Sequence, residues 1–144
     1  TSVNARTKIR EVCAKAGVVL TNAIDPTAKV ASDVEMGKGN VICAFCHFGT
    51  GTVVGDNNFF SAYNSYDHHN VLGSDNATGP GVVTSGLVQI GDRCRLGTGI
   101  FIEPYVCLNS DVRVASGAII LKDVPAEHTV KTKTVTTVVV PNRR

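Results

Sequence analysis

The sequence predicts an all-β chain, a parallel β-helix wound from six-residue repeats, with a short N-terminal helix before it. Counting in steps of six from Ile24 to Ile120 gives seventeen positions, and fifteen of them are apolar. A six-residue apolar period fits neither an amphipathic helix nor an alternating strand, and fixed self-similarity of this kind is typical of β-helices. Small residues often follow the apolar position, as at Gly37, Gly73 and Gly97, where a sharp turn favours glycine.

Length and composition indicate one folded domain. The chain has 144 residues, of which 43% are hydrophobic and 18% are charged, and this balance argues against disorder. The formal net charge of +2 is too small to indicate a nucleic-acid surface. No apolar run reaches the roughly 18 residues of a membrane-spanning helix, and no signal peptide precedes the repeats. We therefore expect a cytoplasmic protein that binds no nucleic acid and does not span a membrane.

The five cysteines form an odd set without the spacing of a disulfide-linked secreted scaffold, which favours a reducing compartment. The segment 43–47 (Cys-Ala-Phe-Cys-His) has the spacing of covalent haem attachment and of half a zinc site. The repeat explains Cys46 more simply, because this residue stands two positions before an apolar hexad position, where other hexads hold Ala28, Val82 and Val88. We therefore expect no metal site.

Residues 1–20 form a lead-in to the repeats. Apolar residues recur at helical spacing between Asn4 and Lys15, and Gly17 then provides a stop signal. Residues 18–20 (Val-Val-Leu) are expected to form a brief strand, and the pair Asp25-Pro26 marks a turn into the repeats.

The β-helix occupies residues 21–125, and residues 126–144 form a C-terminal extension. Each hexad supplies one short strand and one turn, and three hexads complete a coil, so that residues eighteen apart stack roughly 4.8 Å from each other. Coils contact only their neighbours and both ends need caps, a role we expect the N-terminal helix to take at the start. Residues 129–140 are rich in Val and Thr. We expect them to form a strand that pairs with the last coil or with a neighbouring subunit.

Asn40, Asn58 and Asn76 are also eighteen residues apart, each two positions before an apolar hexad position. If they point inward, they form a hydrogen-bonded ladder that satisfies amides which are otherwise costly to bury. The alternative is that all three are solvated turn residues. His68 and Gly86 have the same separation, so stacking places them at one turn of successive coils.

The sequence resembles the hexapeptide-repeat acyltransferases, and in particular the bacterial sialic-acid O-acetyltransferases and nucleotide-amino-sugar N-acetyltransferases. The resemblance extends from about Arg6 to Thr129. Four segments carry it: 24–28 (Ile-Asp-Pro-Thr-Ala), 67–73 (Asp-His-His-Asn-Val-Leu-Gly), 79–91 (from Gly-Pro-Gly through Ser-Gly to Ile-Gly) and 122–125 (Lys-Asp-Val-Pro).

This resemblance implies a left-handed coil, a homotrimer, and acetyl-CoA as co-substrate in the groove between subunits. It makes His68 the catalytic base, with His69 next in line, and Gly86 the residue whose N–H meets the acetyl carbonyl. Because an imidazole suits proton transfer near neutral pH and a fixed N–H stabilises an oxyanion, no metal is required. We expect further acetyl-CoA contacts from Thr98, Gly99 and Ser116, and sugar contacts from Ser61, Asn64 and Asp67.

Three positions depart from the family pattern. The acidic residue that usually follows the catalytic histidine is replaced by His69, and Asp67 is the nearest substitute. A substrate-pocket asparagine is replaced by Ser61, and Val-Lys-Thr-Lys at 130–133 replaces the segment that often borders the CoA nucleotide. These departures motivate a second hypothesis, a non-catalytic trimeric β-helix scaffold.

A third hypothesis is a zinc-dependent β-helix enzyme. Such a site needs three converging histidines. The chain has four histidines, at positions 47, 68, 69 and 128, of which two are adjacent in sequence.

Overall fold

The computed structural model describes residues 3–133. The helix α1 (Val3–Lys15) comes first, and Gly17 ends it with a φ of 69°. The N–H of Val18 donates to the carbonyl of Cys13 (2.9 Å), as in a helix C-cap that uses a left-handed glycine. The brief strand expected at residues 18–20 is absent, because the first of these residues completes that cap. No helix in the described range is long and apolar enough to cross a bilayer.

Eighteen two-residue strands follow the helix. In chain order they are β1 (Ala23–Ile24), β2 (Lys29–Val30), β3 (Glu35–Met36), β4 (Val41–Ile42), β5 (His47–Phe48), β6 (Val53–Val54), β7 (Phe59–Phe60), β8 (Ser65–Tyr66), β9 (Val71–Leu72), β10 (Ala77–Thr78), β11 (Val83–Thr84), β12 (Gln89–Ile90), β13 (Arg95–Leu96), β14 (Phe101–Ile102), β15 (Cys107–Leu108), β16 (Arg113–Val114), β17 (Ile119–Ile120) and β18 (Thr129–Val130).

The strands form three parallel sheets, because each strand from β1 to β14 pairs with the strand three places further along the chain in an eighteen-residue register. The last pair is the exception: β16 pairs with β18, and Arg113 lies opposite Thr129, sixteen residues later. Sheet A has the order β1-β4-β7-β10-β13-β16-β18, sheet B has β17-β14-β11-β8-β5-β2, and sheet C has β15-β12-β9-β6-β3. Ile42 faces Phe60, for example, and Thr84 faces Ile102. The chain is thus a parallel β-solenoid of about 6 turns, and the predicted phase is confirmed from β1 to β17.

The second residue of each strand forms the core from β4 onward, whereas Ile24 and Val30 in the first coil are exposed (46% and 38%). From Ile42 onward these positions are buried, with exposures of 6% or less as far as Ile120. The two polar members are Thr78 and Thr84, whose hydroxyls accept hydrogen bonds from the buried amides of Asn64 and Asn70. At these two positions, a hydrogen bond between a threonine and a buried asparagine therefore replaces an apolar core contact.

The predicted asparagine ladder is present. The Oδ1 atom of Asn40 accepts from the N–H of Asn58 (2.8 Å), and the Oδ1 atom of Asn58 accepts from the N–H of Asn76 (2.9 Å). The column extends downward to Asn22 and ends upward at Cys94, whose N–H donates to Asn76 (2.7 Å). All three predicted residues have exposures of 3% or less, so they are not solvated turn residues.

Helix α1 packs against one edge of the prism through two arginines. The Arg6 guanidinium donates to the carbonyls of Gly39 (3.2 Å) and Asn57 (3.3 Å), and Arg10 forms an ion pair with Asp75. Asp75 is only 5% exposed and also accepts from the Asn57 amide (2.6 Å). The helix is therefore held by charge-assisted hydrogen bonds, while Ile9 and Val12 stay exposed.

At the other end, β18 pairs with β16, so the expected contact of the C-terminal extension with the last coil is present at Thr129–Val130. Residues 131–133 form no strand. The remainder of the expected strand, residues 134–140, lies outside the described residues.

Candidate functional site

The turns between the sheets form three vertices of the prism. The turns from sheet B to sheet C make the histidine vertex, which carries Asp33, Thr50, Gly51, His68, His69 and Gly86. The turns from sheet A to sheet B make the serine–threonine vertex, which carries Ser61, Thr98, Gly99 and Ser116. The turns from sheet C to sheet A make the helix vertex, where α1 packs on Asn57 and Asp75.

His68 and Gly86 lie against each other at the histidine vertex. A Cβ atom built on Gly86 would be 2.4 Å from both Cε1 and Nε2 of His68, so only glycine leaves room for this ring. The Leu87 N–H also donates to the His68 carbonyl (3.0 Å). Within residues 3–133 the N–H of Gly86 donates to no protein acceptor. The predicted pairing of an imidazole with a main-chain amide is therefore present, and this amide is free to bind a ligand.

The other edge of the His68 ring meets His69. The Nδ1 atoms of the two rings are 3.2 Å apart, and the rings are nearly perpendicular, at 78°. His69 has a φ of 55°, a left-handed conformation that a histidine tolerates better than a bulky apolar residue does. Within the described residues the Asp67 carboxylate bonds to neither imidazole, so His69 is the partner of His68.

A buried asparagine holds the turn that carries both histidines. The Nδ2 atom of Asn70 donates to the Asp67 carbonyl (2.7 Å) and to Thr84 Oγ1 (3.0 Å), and its Oδ1 atom accepts from the Val88 N–H (2.8 Å). Asn70 is fully buried. Sequence reasoning missed its role, although the residue stands two positions before an apolar hexad position, the spacing that marks the asparagine ladder.

His69 packs on the coil below it, beside a carboxylate. A Cβ atom on Gly51 would lie 2.9 Å from His69 Nε2, so the ring covers this glycine. The Gly51 N–H (3.1 Å) and the Thr50 hydroxyl (2.5 Å) both donate to Asp33 Oδ2. The hydrogen bond from Thr50 holds the pKa of Asp33 below its ordinary value of 3.8, partly opposed by desolvation, and His69 contributes in the same direction as Thr50. Asp33 is a second residue that sequence reasoning missed.

The strand that leads to His68 is fixed by an aromatic cluster. Tyr66 is fully buried, stacks on Phe48 with 5.0 Å between ring centroids, and meets the edge of Phe60 at 5.2 Å. Aromatic pairs of this kind add about 0.5–1.5 kcal/mol each beyond the burial of their surface. The histidine vertex is therefore mounted on a rigid part of the core, two residues from His68.

The other predicted site residues lie away from His68 in the same chain. Ser61, Thr98, Gly99 and Ser116 are at the serine–threonine vertex, where the Thr98 N–H donates to Ser116 Oγ (3.0 Å). Asn64, expected to contact the sugar, has 0% exposure. Its amide bonds to Thr78 and to the Val82 N–H, so it offers no surface to a ligand. The structure thus divides the predicted set between two vertices.

The four histidines named in the zinc hypothesis lie at three separate places within one chain. His47 lies in β5 with its ring 3.4 Å from Ser65 Oγ, and His128 contacts the Ala126 carbonyl near the end of the solenoid (2.8 Å). Among residues 3–133 no three histidine, cysteine or acidic side chains converge as metal ligands would. Cys46 is a core residue with 1% exposure, and its thiol donates to the Ser61 carbonyl (3.1 Å).

Solved structures of sugar acetyltransferases share this fold. A mutant of GDP-perosamine N-acetyltransferase from Caulobacter crescentus, in complex with CoA and GDP-perosamine, is 28% identical and superposes with a TM-score of 0.85 over 88% of this chain and 60% of that chain. The acetyltransferase domain of PglB from Neisseria gonorrhoeae is 30% identical, with a TM-score of 0.86 over 88% of this chain and 62% of that one. This domain is also known in complex with acetyl coenzyme A.

WeeI from Acinetobacter baumannii, at 23% identity and a TM-score of 0.77 over 90% of this chain and 64% of that one, shares the fold alone. No protein-family profile and no curated protein sequence matches the chain. The structural neighbours are thus hexapeptide-repeat sugar acetyltransferases, as the sequence resemblance predicted. The chain spans about 60% of the length of the first two of these structures.

Proposed function

We propose that this chain is the catalytic β-helix of an acetyl-CoA-dependent acetyltransferase that acylates the amino group of a nucleotide-linked sugar, in surface-polysaccharide biosynthesis. The observation that carries the proposal is the His68 imidazole lying on Gly86, whose N–H has no acceptor among the described residues. Structures of similar fold that contain CoA with GDP-perosamine, or acetyl coenzyme A, support the choice of substrates.

The first chemical step uses both groups. The sugar amine attacks the thioester carbonyl, a carbon–nitrogen bond forms, and His68 Nε2 accepts the proton that the amine loses. Negative charge develops on the carbonyl oxygen, where the Gly86 N–H stabilises it; loss of one such donor costs about 2.7–4 kcal/mol in other enzymes. In the second step the carbon–sulfur bond breaks, and the His68 imidazolium returns the proton to the departing CoA thiolate.

His69 takes the place of the usual acidic residue in this scheme. A His68 ring that accepts a proton at Nε2 must carry its own proton on Nδ1, and the nearest acceptor of that proton is His69 Nδ1, 3.2 Å away. The opposite edge of the His69 ring, with Cδ2 and Nε2, lies against Gly51. His69 therefore fixes the tautomer and orientation of His68.

The division of the site between two vertices favours a homotrimer. In a ring of three prisms, the histidine vertex of one subunit faces the serine–threonine vertex of the next, and acetyl-CoA lies between them. Gly86 of one subunit then faces Thr98, Gly99 and Ser116 of its neighbour across the pantetheine arm. The acceptor sugar approaches His68 beside Asp67 and the neighbour's Ser61. Because acetyl-CoA is the proposed co-substrate, we propose a cytoplasmic location.

The experiment is an acetyl-transfer assay with a panel of nucleotide-linked sugars that carry a free amine or only hydroxyls. His68→Ala should lower turnover by roughly 10²–10⁴-fold and leave the melting temperature unchanged. His47→Ala, on the neighbouring strand β5, is the matched control. Millimolar CoA should raise the melting temperature of the wild-type chain, because a ligand that binds only the folded state stabilises it. No shift with CoA and no turnover would favour the scaffold hypothesis instead.

A further inference from the structure

An open groove runs along the outer face of sheet A, beside the serine–threonine vertex. Its volume is about 660 Å³. Its floor is made of the small residues Ala77, Gly79, Gly97 and Ala115. The groove exists because these residues have no large side chain to cover the sheet. The histidine vertex contributes no residue to this groove, which is a separate surface of the same coils.

Two arginines line the groove on adjacent strands. Arg95 in β13 and Arg113 in β16 are direct partners in the parallel register, so their backbones are one strand spacing apart, roughly 4.8 Å. Like charges at directly opposed sheet positions destabilise the sheet. A neighbouring negative charge would offset the repulsion between the two guanidinium groups.

The described protein does not supply that charge. Its ion pairs within residues 3–133 are Arg10 with Asp75 and Arg93 with Asp111. The groove lining contains no aspartate or glutamate. Both guanidinium groups are thus available to an anion, and a ligand that supplies two adjacent negative groups would relieve their mutual repulsion.

The position of the groove connects it to the proposed co-substrate site. Gly97 and Ala115 line the groove, and the next residues along the chain are Thr98 and Ser116, whose hydrogen bond spans the serine–threonine vertex. A ligand that lies along this vertex can therefore place one end in the groove. Phe59, two strands away from Arg95, also lines the groove, and its ring lies beneath the Arg6 guanidinium at 5.9 Å.

From these observations we infer that Arg95 and Arg113 form a diphosphate-binding site in the sheet A groove, which binds the diphosphate of CoA or of the nucleotide-linked sugar. Planar guanidinium groups bind phosphate oxygens through paired hydrogen bonds, and this geometry suits two neighbouring phosphates better than one. The identity of these two ligands rests on the proposed function, whereas the diphosphate chemistry rests on the groove alone.

The first test uses inorganic pyrophosphate and the full chain, and does not depend on catalysis. Calorimetric titration at low salt should show pyrophosphate binding that weakens about ten- to hundredfold in the Arg95→Gln/Arg113→Gln double variant. Arg93→Gln, which removes an arginine already paired with Asp111, is the matched control and should bind as the wild type does. Thermal melts establish that each variant is folded. Equal affinity in the double variant and the wild type, or no binding to either, overturns the inference.

The second test identifies the source of the diphosphate. CoA and the nucleoside diphosphates UDP and GDP are titrated separately into the wild type and the double variant. The inference holds if the double variant loses affinity for CoA or for a nucleoside diphosphate. The ligand whose affinity falls is then identified as the one that binds in the groove. It fails if all three bind the double variant as tightly as the wild type. If only pyrophosphate binds, the groove is a diphosphate site but the proposed acetyltransferase function is wrong, so the two failures are distinguishable.

Discussion

His68 and His69 face each other through their Nδ1 atoms at 3.2 Å, in perpendicular rings carried by one turn. Only one of the two atoms can carry a proton when both rings are neutral. Under the proposed mechanism, His69 accepts this hydrogen bond and orients His68, the role that the family resemblance gives to an acidic residue.

The acceptor role of His69 predicts a difference between two substitutions. His69→Phe removes the acceptor and should lower kcat by about tenfold or more, because His68 then loses its preferred tautomer. His69→Glu supplies a carboxylate acceptor and should retain activity within about threefold of the wild type. Steady-state kinetics at saturating acetyl-CoA measures both. Equal loss in the two variants would mean that the ring of His69 acts by packing on Gly51 and not by accepting a hydrogen bond.

The Asp33 carboxylate should make the stability of the protein depend on pH. Its pKa is lowered by the Thr50 hydroxyl, so the carboxylate is ionised throughout the neutral range; its own contribution to stability is present above 3.8 and is lost as the pH falls through the lowered pKa. The difference in melting temperature between the wild type and Asp33→Asn should therefore be present at neutral pH and should shrink as the pH falls below 3.8.

A second variant, Asp25→Asn, tests the same physical cause at another turn. Asp25 also accepts from a threonine hydroxyl and a backbone N–H, both from Thr27 (2.6 and 2.9 Å), and these hydrogen bonds lower its pKa. The same pH-dependent difference in melting temperature is expected, although Asp25 lies at the serine–threonine vertex. A difference that does not change with pH in either variant would contradict the lowered pKa values.

Gly86→Ala should abolish activity without unfolding the protein. The added methyl group would overlap the His68 ring, at 2.4 Å from two of its atoms, so the imidazole must rotate away from the free N–H. We expect a decrease in kcat of about 100-fold or more. Gly91→Ala is the control at the helix vertex, where the new Cβ atom would lie 2.6 Å from the backbone N of Ser110. That variant should have a lower melting temperature than Gly86→Ala, because a backbone atom cannot rotate away, and a normal kcat.

Docking of α1 depends on one buried carboxylate. Asp75→Asn leaves Arg10 without its counter-ion and weakens the bond from Asn57, which should lower the free energy of unfolding by about 1–3 kcal/mol. Asp111→Asn breaks the exposed ion pair with Arg93 and should cost about 0.5 kcal/mol or less. Urea titration followed by circular dichroism compares the two. Equal effects would show that the helix contributes little to stability.

The fold could be predicted from the repeat, because a single six-residue period marks the candidate core positions from Ile24 to Ile120. These positions are buried from Ile42 onward. The two polar exceptions in that period, Thr78 and Thr84, are explained only in three dimensions, where Asn64 and Asn70 lie fourteen residues earlier, one coil below, at the vertex that follows the sheet of each threonine. Asn64 was expected at the sugar and is instead part of this internal pairing.

At the site, the pair His68–Gly86 followed from arithmetic, since both lie in one eighteen-residue column. The Asp33 turn, in the column that continues through Gly51 to His69, did not, because no local pattern marks which exposed aspartate lies near a functional ring. Nor did the sequence indicate that the arginines of β13 and β16 have no acidic partner among the described residues, because this depends on where each carboxylate lies in the fold.

The separation of the histidine and serine–threonine vertices has a genetic consequence. If each reaction centre is shared by two neighbouring chains, a chain without the His68 base and a chain altered at Thr98 and Ser116 are both inactive alone. Co-expressed in one cell, they would form mixed trimers. In some of these trimers an intact histidine vertex of one chain would face an intact serine–threonine vertex of the other. Two defective alleles would then restore acetylation together.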